Sequence, residues 1–290
     1  MAKRSPGIPF VKGHGLGNDY IVFAASDLGS PPRPSWIRAV CDRNRGIGSD
    51  GILLAVPSRR ADFGVRIFNP DGSEAEKSGN GLRIFAQYVF RHVAPGRRSF
   101  RVETKGGIVR AEVTPKGRGK LGPLVDVVVD MGKAVFERAA LPMKGTGTTF
   151  HVPIRVGGKT LRANCVSVGN PHCVIPVRSA ATAPVRTLGP LLERHPMFPR
   201  RVNVQFAEPR PYHRARIEIW ERGAGYTLAS GTSACAVAAT FVRDGVLKSP
   251  VTVESPGGSL VVWVSPDYDL RLRGPAEETF TGKIQISDTD

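Results

Sequence analysis

Two stretches of this chain carry the same landmarks in the same order, about 152 residues apart, and that spacing limits what the chain can fold into. Ser78-Gly79 opens SGNGLRIFAQYV, and Ser230-Gly231 opens SGTSACAVAATFV. An aromatic-polar step precedes each, Phe68-Asn69 and Trp220-Glu221, and further upstream Gly17-Asn18 matches Gly169-Asn170. Downstream, Val102-Glu103-Thr104-Lys105-Gly106-Gly107 matches Val253-Glu254-Ser255-Pro256-Gly257-Gly258. Landmarks of different type that keep one register exclude chance, and the period is far longer than a solenoid unit. The pattern predicts two homologous domains, with the equivalent serines facing each other across a cleft.

At 290 residues each half is long enough to bury a core. Runs such as Phe63 to Phe68, Val125 to Val129, Arg216 to Trp220, Leu260 to Val264 and Leu270 to Leu272 are bounded by Gly, Pro and Asp and read as strands. Helical spacing follows Ser78 at Leu82, Phe85, Tyr88 and Val89, and follows Ser230 at Ala234, Val237, Ala238 and Phe241. Helices apolar on most sides suit enclosure by a sheet. The predicted class is therefore α+β: two pseudo-symmetric domains, each a curved, mostly antiparallel sheet around a central helix. The Gly-, Pro- and Lys-rich stretch Thr114 to Pro123 is expected to mark the boundary, giving halves at 1–122 and 123–274, with 275–290 open to rejoin the first.

The balance of 41 basic and 25 acidic residues gives a net charge of +16, in scattered clusters such as Arg97-Arg98, Lys116 to Lys120 and Arg200-Arg201. No nucleic-acid motif or aromatic-interleaved basic strand accompanies the charge, so surface composition is the favoured reading and no nucleic-acid partner is expected. The cysteines Cys41, Cys165, Cys173 and Cys235 show no C-x-x-C spacing, and no H-E-x-x-H occurs, so neither a metal nor a disulfide framework is expected. No apolar run reaches 18 residues, which predicts a soluble cytoplasmic protein with no membrane partner. Association into a homodimer is left open.

Serine is a favoured N-cap, and glycine after it lets a ligand approach the backbone. The first turn of a helix presents unpaired N–H groups and a favourable dipole to an anion. One Ser-Gly would read as a plain cap. Two in register, each after a polar loop, point to a ligand carboxylate.

The motifs HGLGND, FNPDGSEAE-x-x-GNGLR, GNPHCV, RVNV and WERGAG-x-T-x-A-x-GT-x-ACA resemble those of the diaminopimelate epimerases, from about Phe10 to the C-terminal strand. The resemblance implies a cofactor-independent amino-acid isomerase with its site between two pseudo-symmetric domains and an amino acid as substrate. In that family a cysteine starts each central helix; one thiolate removes the α-proton while the opposite thiol delivers a proton to the other face. Here both positions are serine, Ser78 and Ser230, and a hydroxyl is a far weaker acid that needs an adjacent base. Tyr226 stands where the family usually has glutamate.

By resemblance, Asn18, Asn69, Asn170, Asn203, Glu221 and Arg222 hold the substrate, the last two gripping its far ammonium and carboxylate. Gly79, Asn80, Gly231 and Thr232 match the positions that hold the reacting carboxylate. The chemistry is apt: Arg presents a fork to a carboxylate and Asn donates and accepts without charge. His172 is read as a structural hydrogen-bonder, Cys173 and Cys235 as core residues, and Lys77 as solvent-facing. The leading expectation is LL- to meso-diaminopimelate epimerisation. The alternatives are a one-base isomerase or lyase on the same fold, as in phenazine-pathway isomerases, and a catalytically silent amino-acid-binding protein.

Overall fold

In the computed structural model, which describes residues 7–285, the chain divides into two units. Unit 1 runs to Val129 and resumes at Pro275; unit 2 is Asp130–Gly274. Unit 1 contains β1 (Ile8–Gly15), β2 (Asn18–Ala24), α1 (Pro34–Cys41), β3 (Ile52–Val56), β4 (Phe63–Phe68), β5 (Glu74–Ala75), α2 (Gly79–Tyr88), β6 (Ser99–Thr104), β7 (Gly107–Arg118) and the first part of β8 (Pro123–Lys133). Unit 2 contains β9 (Val152–Val156), β10 (Lys159–Ser167), β11 (Pro171–Pro176), α3 (Val185–Glu193), β12 (Asn203–Arg210), β13 (Arg214–Glu221), β14 (Gly225–Thr227), α4 (Gly231–Arg243), β15 (Val251–Ser255), β16 (Gly258–Val264) and the first part of β17 (Asp269–Ile284). The remainder of β17 pairs with β1 in unit 1.

The two units repeat one wiring scheme, and the register repeats with it. In unit 1, β2 runs parallel to β3, β3 antiparallel to β4, and β4 parallel to β6. In unit 2 the same relations join β11, β12, β13 and β15. Ile52 pairs with Phe68 and Val204 with Trp220; Phe68 pairs with Glu74 and Trp220 with Tyr226. Each partner in unit 2 lies 152 residues after its counterpart. Side chains alternate across a sheet, so the register also fixes what each face carries.

One face of each sheet is packed by a short helix. In unit 1, Ile37, Val40 and Cys41 of α1 join Ile21, Phe23, Ile52, Leu54 and Phe68 in a buried cluster. In unit 2, Val185, Leu188 and Leu192 of α3 join Cys173, Ile175, Val204 and Phe206, with Trp220 and Tyr226 against them. The other face receives the long apolar helix. Gly79 to Gln87 are all buried in α2, as are Gly231 to Phe241 in α4. The four alanines of α4, at 234, 236, 238 and 239, let strands approach closely at little side-chain entropy cost. The α+β class and the central helices are as the sequence predicts.

The stretch Thr114 to Pro123 is not a linker. Thr114 pairs with Asp126 and Arg118 with Pro123, with a bulge between Pro115 and Gly117, and Gly119 N–H closes the turn on Gly122 O at 2.8 Å. The sequence reading failed here because both edges of this hairpin are polar, so composition resembles that of a loop. What holds it is tertiary: the buried Glu277 carboxylate accepts the N–H groups of Leu121 at 2.6 Å and Gly122 at 3.1 Å. The units divide at Val129/Asp130, beyond this hairpin, and at Gly274/Pro275, the second boundary set out from the sequence. Glu277→Ala leaves those N–H groups without their acceptor, and we expect it to cost about 1–3 kcal/mol of stability, read by urea unfolding. An unchanged unfolding midpoint would show that the hairpin holds itself.

Candidate functional site

The start of each buried helix is built alike. Ser78 has extended backbone (φ −141°, ψ 120°) and its Oγ accepts the Gly81 N–H at 3.0 Å. Ser230 has nearly the same angles (φ −147°, ψ 124°) and its Oγ accepts the Ser233 N–H at 3.4 Å. Both serines are N-caps, each satisfying one of the first-turn donors. Their surroundings differ. Ser78 is half-buried and its Oγ lies 3.2 Å from the Tyr20 hydroxyl, whereas Ser230 is buried and its Oγ lies 3.4 Å from Thr232 Oγ1.

In unit 1 a chain of polar groups links three of the expected residues. Asn18 Nδ2 donates to Asp50 Oδ2 at 2.9 Å, and Asn80 Nδ2 donates to Asn18 Oδ1 at 3.1 Å. The wholly buried Arg83 donates to Asn80 Oδ1 at 2.6 Å, to Gly79 O at 3.0 Å and to Pro275 O at 3.2 Å. This order fixes both amide orientations, so Asn18 and Asn80 are preset. Burial and the neighbouring Asp19 carboxylate push the Asp50 carboxyl up. For Asp19 burial also works upward, but Arg43 and Lys12 outweigh it and hold the carboxyl down. Asn69 stands apart from this chain: its Nδ2 donates to Ser73 Oγ at 3.0 Å within its own turn. Asp50, Arg83 and Tyr20 were missed in the sequence, although Arg83 closes the GNGLR motif and Tyr20 follows GND.

In unit 2 Asn203 bridges two loops. Its Nδ2 donates to Pro171 O at 3.0 Å and its Oδ1 accepts the Arg222 N–H at 2.9 Å. The Arg222 side chain is exposed and donates to Arg200 O at 3.3 Å. The loop that carries Glu221 and Arg222 is anchored from α3: Glu193 accepts Trp220 Nε1–H at 2.8 Å and Gly223 N–H at 3.1 Å. No local motif marks Glu193, so the sequence could not identify this anchor. Asn170 Oδ1 lies 2.9 Å from His172 Nε2.

His172 is wholly buried, and burial drives its pKa down to about 3, with the Arg222 charge adding and Gln205 opposing. It is a neutral hydrogen-bonder at neutral pH, as expected. None of the four free cysteines occupies a helix start, and all are buried. The Cys165 thiol beside it, together with burial, pushes Cys173 well above the usual thiol value. Among the described residues no group of His, Cys, Asp and Glu could hold a metal ion, and no helix is long and apolar enough to cross a membrane.

Tyr226 lies on the sheet face opposite α4. It pairs with Trp220 and packs with the α3 cluster, whereas Gln205 of the other face donates to Ser233 Oγ on α4 at 3.0 Å. Its hydroxyl donates to Glu218 Oε2 at 2.7 Å, and the Arg186 guanidinium covers its ring at 3.9 Å. Burial and Glu218 both push this phenol up. The matching positions in unit 1 are Arg66 and Glu74, joined by a two-pronged ion pair at 3.0 and 3.1 Å. Each sheet therefore fills this cross-strand pair with a different complementary couple.

A sequence model of the diaminopimelate epimerase family matches residues 10–137 and 164–278. The chain is 45% identical over 280 residues to a diaminopimelate epimerase from Moorella thermoacetica, covering 96% of this chain and 99% of that protein. It is 40% identical over 280 residues to one from Pseudomonas aeruginosa, with the same coverage. Among solved structures, a hydroxyproline epimerase from Agrobacterium vitis has a TM-score of 0.72 at 15% identity, covering 100% of this chain and 94% of that one. A phenazine biosynthesis protein from Bacillus anthracis has a TM-score of 0.67 at 15% identity, covering 97% and 100%. At such identities the structural likeness speaks for the fold.

Two outcomes follow from the side chains. The unfolded chain protonates His172 near pH 6.5 and the folded chain only near 3, so the folded state loses stability as pH falls through that window. We expect a slope of up to about 1.4 kcal/mol per pH unit there, with that component missing in His172→Gln when urea midpoints are compared between the two. Tyr226→Glu would set a second carboxylate against Glu218, and we expect a loss of about 0.2–1 kcal/mol in stability. A gain in stability from that variant would mean that Arg186 neutralises both carboxylates.

Proposed function

Because the chain belongs to the diaminopimelate epimerase family, we propose that it interconverts LL- and meso-diaminopimelate by proton transfer at an α-carbon, with Ser78 and Ser230 in the two proton-carrier positions. The protein is an isomerase, and lysine biosynthesis is the context that this activity implies. The observation that carries the assignment of the serines is that both cap a buried helix in the same conformation, at equivalent places in a repeated register. In this reading the N–H groups at Gly79, Asn80, Gly231 and Thr232 receive the reacting carboxylate, where the first-turn dipole favours developing negative charge. Asn18, Asn69, Asn170 and Asn203 orient the substrate, and Glu221 and Arg222 hold its far ammonium and carboxylate. We place the reaction in the cytoplasm, on a free amino acid and without a cofactor.

The unusual element is the proton carrier. A thiol starts near a pKa of about 8.5 and is lowered further at a helix N-terminus, whereas a hydroxyl must be helped by a neighbouring base. The reading therefore predicts slow turnover limited by proton abstraction, with the binding groups in place. Incubation with LL- or meso-diaminopimelate in heavy water, followed by NMR, measures α-proton exchange and epimerisation together. We expect both in the parent, and a rise of roughly tenfold or more in Ser78→Cys combined with Ser230→Cys. If that variant binds diaminopimelate and gains nothing, the missing thiols do not limit the rate. Exchange with a product other than the epimer would point to a one-base isomerase, and binding with no exchange to a silent binding protein.

A further inference from the structure

We propose that Tyr20 is a positioning residue for proton transfer, its phenol and the Ser78 hydroxyl acting as one two-residue proton carrier; this rests on the reading that Ser78 serves the α-proton. Tyr20 stands on β2 two residues after Asn18, so its side chain shares the α2 face with Asn18. Its hydroxyl lies 3.2 Å from Oγ of the half-buried Ser78, and Tyr20 itself is 6% exposed. The ring's position depends on Gly51, where an added Cβ would stand 2.7 Å from Tyr20 Cε1. The space occupied by the phenol thus exists because residue 51 has no side chain.

The equivalent position in unit 2 is His172, which is buried, neutral and engaged with Asn170, while Ser230 Oγ is engaged with Thr232 and Ser233. The two serines therefore have different acid-base neighbours despite their common capping geometry. Phenols ionise near pH 10, far below alcohols, so a tyrosine beside a serine supplies the base that the hydroxyl lacks. In the transfer, the substrate Cα–H bond breaks and its proton goes to Ser78 Oγ as the Ser78 hydroxyl proton passes to the Tyr20 phenolate. The bonding electron pair stays on the α-carbon, so one negative charge moves from phenolate to carbanion. Reprotonation on this face runs the same path backwards. The Gly81 N–H on Ser78 Oγ stabilises partial charge there during the transfer.

The test compares α-proton exchange of diaminopimelate in heavy water for the parent, Tyr20→Phe, Ser78→Cys and the double variant, from about pH 7 to about pH 10.5, with melting temperatures alongside. We expect the parent rate to climb through the alkaline range where phenols ionise. Tyr20→Phe should lose that rise and fall by roughly 10²-fold at an unchanged melting temperature. In the Ser78→Cys background, whose thiol ionises unaided, Tyr20→Phe should change the rate less than about threefold. A parent that exchanges while Tyr20→Phe keeps its rate and pH profile overturns the inference alone, as does an equal loss in both backgrounds. A parent inert at every pH overturns the serine reading and the inference with it.

Discussion

An apolar helix enclosed by a sheet must still satisfy the N–H groups of its first turn, and here the residue just before the helix does so. Ser78 and Ser230 leave the strand-side loop in extended conformation and turn their oxygens onto the third N–H of α2 and α4. The cap fixes where each helix begins, and therefore which residues of the adjoining strands lie beside its positive end. The remaining first-turn donors are left for an anion. In the proposed function the structural and the functional readings of these serines are one arrangement: the cap leaves those donors where the substrate carboxylate is placed.

Around that shared element the two units diverge through side-chain chemistry and not through backbone. Arg83, buried on α2, orders Asn80 and through it Asn18; the matching residue on α4 is Cys235, which is also buried. Tyr20 reaches Ser78, whereas His172 in the same register position turns to Asn170. Arg66 with Glu74 and Glu218 with Tyr226 fill one cross-strand position in two ways. A duplicated scaffold keeps its hydrogen-bond ladders because every residue contributes to them, while individual side chains are free to specialise.

The glutamate-to-tyrosine departure at 226 takes on a different weight in this frame. It lies on the α3 face, where its hydroxyl and ring are matched by Glu218 and Arg186. In the proposed function the departure at the two serines is the one that bears on proton transfer, and Cys41, Cys165, Cys173 and Cys235 are buried elsewhere. Glu193, by contrast, acts at a distance by anchoring Trp220 and Gly223, and so holds the loop that presents Arg222.

Sequence alone determined the two-fold repeat, the five strands read from their bounded runs, the two central helices and their serine caps. All of these rest on local periodicity and on residues with strong backbone preferences, and the 152-residue offset reappears intact in the ladder pairings. Only tertiary structure decided that Thr114 to Pro123 is a hairpin, because its acceptor, Glu277, is more than 150 residues away. It likewise decided that Asn69 bonds Ser73 within its own turn, that Tyr226 faces α3, and that Tyr20 and not His172 meets a capping serine. Periodicity gives the face on which a residue lies. Which polar atom it meets there depends on strands and helices brought together from distant parts of the chain, as with Tyr20 and the space left by Gly51.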